Sequence, residues 1–513
     1  MIPLRILAVS AHVHAPQPSL RTAVASDLLA AGPAVCAIVA LAGFTLGFFA
    51  WLAAVVPLHI AALDDLGLLL ALVAGTAAAL WLWHRYARYF SRRAGATYAR
   101  SLRYDALTWA PFLLLWLTFV LPPGLTNDSR IFVLCAAAFC VGKVLIATRF
   151  NQTVREVLLD FVATRTAIIV IAELAAVIIG QRAGTHVQES TNALLDVWGR
   201  WDAVHYLQIA TRGYEGTDMA FFPLYPLMIR ILGRLVGNHL IAALLISNAS
   251  FFFGLLFLYK LLEHEYDRSV ARRAIFYVSI FPSAFFFSAA YSESLFFMLT
   301  VATFYYMRSH RWLTAAVIGF FAAMTRVEGV LLVVPFAIEW CMQYWPNLRE
   351  HRASLAASAL IPVGLFAYMA YLWVLRGDPL YFSHVQINWD RHLAPPWVSL
   401  MSAVHKIATA SQGQAIADQA IQFAFTLFMI AVLVGGWRQL RSSYIAYMAL
   451  SILIPMSTSS LMSMQRFALV LFPMYAILAR WGDRPWVNNL IVAFSLPLLG
   501  LFTVLFADWY WVA

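Results

Sequence analysis

"HLIAALLISNASFFFGLLFLYKLL", residues 239–262, is long and apolar enough to decide the fold. A helix rises 1.5 Å per residue, so about 20 apolar residues span the hydrocarbon core of a bilayer. In lipid, a helix is the one open segment that satisfies its own backbone. Outward from this run, further spans are expected at 34–59, 66–84, 105–122, 131–149 and 160–180 on the N-terminal side. On the other side they are expected at 272–290, 294–310, 312–325, 327–344, 355–375, 419–437, 443–461, 467–481 and 487–507. The expected fold class is all-α: a polytopic transmembrane helical bundle of about 13–15 spans, with large outer loops carrying short interfacial helices.

Composition agrees. The 513 residues are 62% hydrophobic and only 12% charged, where a soluble domain carries roughly twice that charge. The net charge of +10 is not a nucleic-acid signature, because the basic residues sit mostly in short loops between spans. Nucleic acid is therefore not an expected partner; the bilayer is. Arginine and alanine dominate over lysine (Lys143, Lys260 and Lys406 only), which is associated with a GC-rich bacterial genome. Cys36, Cys135, Cys140 and Cys341 lie in apolar runs and read as small core residues. The first twenty residues lack an h-region followed by a cleavage site, so the first span is expected to act as an uncleaved anchor. His12 and His14 read as part of an unstructured tail.

Arginine sets the orientation. His84–Tyr104 holds six arginines and Glu263–Arg273 three, so both loops are expected in the cytoplasm. That places 181–238 and 377–418, the two largest outer loops, on the far side. Polar constellations begin after about residue 155. The chain accordingly divides into an accessory module of about four spans, 1–154, and a second domain, 155–513.

The outer loop "GRWDAVHYLQIATRGYEGTDMAFFPLYPLMIR", Gly199–Arg230, gathers three acids, three arginines and a histidine between apolar segments. Asp202, His205 and Tyr206 are spaced i, i+3, i+4, one face of a helix. Trp198 and Trp201 precede them, and tryptophan favours the headgroup level. Such a segment is either a decorated interfacial helix or one that presents a carboxylate and an imidazole to a ligand. The stiff aromatic turn Phe221-Phe222-Pro223-Leu224-Tyr225-Pro226 beside it favours a site. Glu189, Glu215 and Asp218 read as solvated acids.

Three further groups stand out. Arg326-Val327-Glu328-Gly329 interrupts two short runs, as a far-side turn or as a glycine kink in one long helix; a charge there needs a partner or a wet cavity. Glu293, after Tyr291-Ser292, either contacts substrate or simply starts a helix with Ser292 as its cap. Gln386, Trp389, Asp390, Arg391 and Trp397 combine amide, charge and aromatic rings in the second loop, which suits sugars and also suits an interfacial loop. Arg466 follows a serine- and methionine-rich stretch and abuts an apolar run; it is a ligand or half of a structural pair.

"RWDAVHYLQIATRGY" followed by "AFFPLYPLMIR" resembles the phosphatidylinositol-glycan class V mannosyltransferases and their prokaryotic relatives. "SIFPSAFFFSAAYSESLF", "TRVEGVLL", "GDPLYFSHVQINWDR" and "MQRFALVLFP" follow in the family's order, covering about residues 155–510. The resemblance implies a GT-C glycosyltransferase. Its donor would be a polyprenyl-phosphate sugar, typically mannose, used on the extracytoplasmic face with an outer-loop acid as base, a role that maps onto Asp202. Val327-Glu328 departs from the family, which often has Ser-Asn there, and this leaves donor and acceptor preference open.

The chemistry can be argued from the residues. Displacing a lipid phosphate from an anomeric carbon needs a base for the attacking hydroxyl and positive charge for the leaving group. Asp202 suits the first role. Arg326 and Arg466 suit the second, with His205 assisting, because a guanidinium fork fits phosphate oxygens. Trp201, Tyr206, Tyr214, Phe222, Tyr225, Glu293, Glu328, Gln386, Trp389 and Arg391 are the expected substrate-binding residues. No ligand set at metal spacing is evident, and no cofactor is expected. The expected substrates are the lipid-linked donor and a lipid-linked or glycan acceptor. The expected location is a bacterial plasma membrane, or the endoplasmic reticulum with a luminal site if the chain is eukaryotic. A transporter or lipid flippase is the rival class, since it too needs many spans and intramembrane charges; it would place its site near the midplane between internal repeats. A degenerate homologue acting as a scaffold is a third.

Overall fold

The computed structural model describes residues 152–179, 187–190 and 193–512, with Trp81, His84, Arg85 and Arg88 of the N-terminal region. Apart from Trp81 and His84 at the end of the second, the first four expected spans lie outside the described residues, as do Cys36, Cys135 and Cys140. Among the described residues the protein is helical, with one isolated antiparallel bridge, Leu393 to Thr458. Six helical stretches are long and apolar enough to cross a membrane: 152–178, 239–265, 327–344, 348–376, 413–439 and 485–507. This is a multi-pass helical membrane fold.

Helix α1, Gln152–Ile178, buries Val157, Phe161, Arg165, Ile168, Ala172 and Ala175 along one stripe. Their spacing of three and four is the helical period, and the other face leaves Leu174 and Val177 exposed. Two short helices follow in the loop 181–238, α2 (Asp202–Thr211) and α3 (Leu224–Val236). Helix α4, His239–Glu265, is the opening stretch of the sequence analysis. Asn238 caps it, its side chain accepting from Ile241 N at 3.0 Å, and the helix is buried nearly all round at the bundle centre.

The expected span 272–290 is not one helix. Helix α5 runs Arg268–Ser279 and stops before Pro282, whose ring cannot follow a helical turn; a 3-10 turn, Ala284–Phe287, comes next. The break strands carbonyls inside the bundle, and Arg165 of α1 repairs them. It donates to Ser279 O at 2.7 Å, to Ala284 O at 2.8 Å and to Ser288 Oγ at 3.3 Å. A fully buried arginine thus serves as the cap of a broken helix.

Helix α6, Glu293–Arg308, packs along α4, and Gly254 of α4 makes the approach possible. A Cβ there would meet the Phe297 ring at 2.8 Å. Between membrane helices such close packing supplies stabilisation that lipid cannot, because lipid tails are as apolar as leucine. Helices α7 (Trp312–Thr325), α8 (Val333–Tyr344) and α9 (Leu360–Arg376) follow, then α10 (Pro396–Thr409) and α11 (Gly413–Gly436). Helix α12, Ser442–Met456, ends earlier than the expected 443–461, and a strap of irregular backbone continues to Ser463. The expected span 467–481 is two pieces, α13 (Met464–Val470) and α14 (Phe472–Trp481), separated at Leu471 next to Pro473. Helix α15, Pro485–Ala507, completes the bundle. Cys341 is exposed on α8 and is not a core residue.

The two ends of α6 each hold an ionic cluster, about 24 Å apart by helical rise. At its C-terminal end Glu339, fully buried, accepts from Arg308 and Arg441 at 3.0 Å, from Gln343 at 2.8 Å and from Ser443 at 2.6 Å. The cluster at the N-terminal end opens on a cavity.

Candidate active site

The cavity has a volume of about 470 Å³ and is built from the loops 181–238 and 377–418, the Thr325–Glu328 turn, the strap after α12 and α13. Its polar wall carries Asp202, Arg326, Glu328, Arg391 and Arg466. Its apolar wall includes Phe221, Phe222, Phe467 and Trp511, with Leu393, Ile454 and Met462.

Asp202 is the first residue of α2, where the partial positive charge of a helix N-terminus favours a carboxylate. The chain reaches it through Trp201, held at φ 58° with its ring against Trp509 and Trp511. A bulky residue in that region of backbone space is strained, and the aromatic cage holds it there. Tyr291 fixes the same corner. Its hydroxyl accepts from Asp202 N at 3.3 Å and donates to Arg200 O at 3.0 Å.

Five charges alternate from Asp202 inward. Arg466 Nη1 meets Asp202 Oδ2 at 2.5 Å, and Arg466 Nε meets Glu293 Oε1 at 2.6 Å. Arg326 Nη1 reaches the same Glu293 oxygen at 3.0 Å, and its Nε lies 3.5 Å from Glu328 Oε2. Glu293 is fully buried beneath the two arginines. Arg466 also lies over the Tyr291 and Phe286 rings, at 5.0 and 5.2 Å. Ser292 makes no capping bond; its hydroxyl pairs with Tyr206 at 2.8 Å, so the simple cap alternative for this segment is not what the structure contains.

The turn reading of Arg326–Gly329 is the one observed. Helix α7 ends at Thr325, Arg326 is extended, and a 3-10 helix runs Val327–Leu332. Gly329 permits it: a Cβ would lie 2.3 Å from the Ala322 carbonyl carbon, so this turn closes back onto α7 only without a side chain.

The remaining expected residues divide into two groups. Tyr206, Phe222, Gln386 and Trp389 line the cavity with Asp202, Arg326, Glu328, Arg391 and Arg466. The others stand behind its wall. His205 pairs through Nδ1 with Asp218 Oδ1 at 2.7 Å and stacks on Phe221 with ring centroids 4.7 Å apart. Tyr214 donates to Phe221 O at 2.9 Å, and Tyr225 is buried with its hydroxyl 2.8 Å from Ser247 Oγ. Trp201 sits in its cage, and Asp390 is exposed at φ 53°. Asp218, read from sequence as solvated, is buried against His205.

Sequence reasoning did not single out Tyr291, Phe467 or Trp511 as site residues. Tyr291 had a signal, its place two residues before Glu293; Trp511 had none. Among the described residues no three His, Cys, Asp or Glu side chains converge as a metal ligand set.

Residues 146–398 match the family Mannosyltransferase (PIG-V). This region is similar to the PIG-V mannosyltransferases. The PIG-V-type region holds Asp202, Glu293, Arg326, Glu328 and Arg391, while Arg466 lies beyond it. The human GPI alpha-1,6-mannosyltransferase 2 is similar to the chain at 29% identity over 249 residues, 41% of this chain and 50% of the relative. The mouse protein of the same name is 27% identical over 205 residues, 35% of this chain and 41% of the relative. The chain spans about half the length of the human relative. An oligosaccharyltransferase from Archaeoglobus fulgidus, solved with a tethered acceptor peptide, aligns with a TM-score of 0.32 and 13% identity over 67% of this chain and 54% of that one.

Proposed function

We propose that the cavity is the active site of a GT-C type membrane glycosyltransferase. It takes a sugar, mannose by kinship, from a polyprenyl-phosphate carrier and gives it to a lipid-linked or membrane-associated acceptor on the extracytoplasmic face. The observation that carries this reading is the placement of Asp202: a carboxylate at a helix N-terminus, on the wall of a cavity lined by three arginines and by apolar side chains. That wall suits a phosphate, and the apolar side suits a lipid.

In the proposed step the acceptor hydroxyl oxygen attacks the anomeric carbon, and Asp202 takes the hydroxyl proton. The bond from the anomeric carbon to the phosphate oxygen breaks, its electron pair leaving on the polyprenyl phosphate. One displacement inverts the configuration. Arg326 and Arg466, held by Glu293, provide positive charge where the leaving phosphate gains negative charge. Positioning and preorganised charge do the work, and the cavity residues need not reorganise as the charge moves. His205 supports α2 from behind the wall together with Asp218. The arginine content of His84–Tyr104 and Glu263–Arg273 supports the orientation, and 1–154 is proposed as an accessory membrane module.

The test is sugar transfer by the purified chain, given radiolabelled polyprenyl-phosphate mannose and a lipid extract from its source. Labelled lipid formed by the wild type and absent with Asp202→Asn is the expected result. Equal transfer by both removes Asp202 as the base, and lipid flux without transfer points to the transporter class instead.

A further inference from the structure

Three arginines line the cavity, and their surroundings differ. Arg466 is committed to Asp202 and Glu293, and Arg326 to Glu293 and Glu328. The chain of five alternating charges is therefore three carboxylates and two guanidiniums, one negative charge in excess. Arg391 offsets that charge but does not join the chain. Among the described residues its guanidinium makes one hydrogen bond, Nη2 to Met462 O at 2.6 Å, and no carboxylate lies within ion-pair distance.

We infer that Arg391 is the direct ligand of the carrier's phosphate, and that Arg326 and Arg466 act on that phosphate through their field rather than as its first contacts. This rests on the transferase reading of the cavity and assigns within it the group that recognises the lipid monophosphate. A guanidinium already bound to carboxylates must break those bonds to bind phosphate, whereas Arg391 has donors to offer at once. Its environment disfavours an unmatched charge. Burial first, and then Arg466 nearby, pull its guanidinium down to about 10, against the opposing pull of Asp202 and Glu328. Arg391 is still protonated at neutral pH, and an incoming anion gives its guanidinium the direct ion pair it lacks.

The surface beside Arg391 commits the ligand to a lipid. Leu393 lines the cavity and is 90% exposed, and Ile454, 41% exposed, lines it too. The apolar wall thus reaches the surface two residues from the guanidinium. A phosphate on Arg391 leaves its polyprenyl tail a dry route out across Leu393 and Ile454.

Backbone geometry fixes Arg391 where it stands. Asp390 adopts φ 53°, turning the chain sharply before it. The segment after it is stitched to the strap: Ser459 N donates to His392 O at 3.0 Å, Ala394 N to Ser457 O at 3.0 Å, and Ser459 Oγ to Asp390 O at 2.7 Å. The side chain is delivered by a braced loop, which reduces the ordering cost of binding.

The test is binding of a sugar-free polyprenyl monophosphate to the full chain in nanodiscs, with the matching polyprenol as control. Wild type, Arg391→Gln and Arg391→Lys are compared, each first checked for an unchanged melting temperature, with the donor and acceptor KM measured alongside. Arg391→Gln is expected to weaken monophosphate binding by roughly tenfold or more, as loss of a charge-assisted bond predicts. Arg391→Lys should recover part of it, polyprenol binding should not change, and the donor KM should rise while the acceptor KM stays. If Arg391→Gln melts early, Arg391→Lys carries the test through its donor KM, since it keeps the charge and loses the fork. Wild-type transfer with undiminished phosphate binding by Arg391→Gln overturns this assignment alone. A rise confined to the acceptor KM also overturns it and moves the phosphate to the acceptor lipid. No phosphate binding and no transfer by the wild type removes the transferase reading with it.

Discussion

Glu293 holds Arg466 and Arg326 with a single oxygen, Oε1, at 2.6 and 3.0 Å. Its other oxygen, Oε2, is buried and meets no hydrogen-bond partner among the described residues. One buried acid therefore sets the separation of two cavity cations, from the first turn of α6.

Replacing Glu293 with Gln leaves two guanidiniums facing each other across a neutral amide. Removing one member of a buried ionic group costs about 3–5 kcal/mol. The melting temperature in detergent should fall clearly and transfer should be lost with it. Glu293→Asp, which keeps the charge but shortens the reach, should retain more stability than Glu293→Gln; an equal loss for both would show that packing, not charge, is the requirement.

Asp202 and His205 should separate by rate. A positioned base contributes roughly 10²–10⁴-fold, so Asp202→Asn is expected to reduce kcat by that order. Its melting temperature should move little, because Arg466 keeps Glu293. His205 stands behind Phe221, so His205→Gln should cost less than the roughly hundredfold that is the lower bound for a base. Single-turnover kinetics on the two variants reads the difference, and the reverse ranking would transfer the base role to His205.

Gly329→Ala places a methyl group 2.3 Å from backbone of α7. Backbone cannot swing aside as a flexible side chain can, and overpacking of this kind costs about 1–3 kcal/mol or more. Gly500, in α15 with open space around it, is the matched control; alanine there should be neutral or stabilising by about 0.5–1 kcal/mol. Paired thermal melts decide the point.

Arg165→Leu removes the donors that satisfy Ser279 O and Ala284 O. Each orphaned buried acceptor costs about 1–3 kcal/mol, so this variant should express poorly or melt early although leucine is the more apolar residue. Arg165→Lys, with one nitrogen instead of a fork, should fall between leucine and wild type. A melt unchanged from wild type in Arg165→Leu would mean the break at Pro282 needs no repair.

Length and hydropathy made the long helices readable, because 239–262 and 487–507 can satisfy their backbones in only one way. The interruptions were harder. Pro282 and Pro473 were visible, yet apolar residues continue on both sides of each, and hydropathy alone runs straight through them. At the site, the i, i+3, i+4 spacing correctly put Asp202, His205 and Tyr206 on one helix, but spacing could not say that Asp202 and Tyr206 reach the cavity while His205 turns to Asp218. The association of Asp202 with Arg466 spans 264 positions and is a property of the fold alone. Glu293 was read as substrate contact or cap; it is instead the anchor beneath two arginines, a role that depends on what arrives from α7 and α13.

The strap carries a practical lesson for chimaera building. Residues 390–394 and 457–459 share backbone hydrogen bonds across the chain; Arg391 lies within that seam and Arg466 just beyond it. Grafting the 377–418 loop from a relative transplants half of a two-piece clasp. The exchangeable cassette is both segments together, so recombination of specificity among these proteins has to cut the chain in four places rather than two.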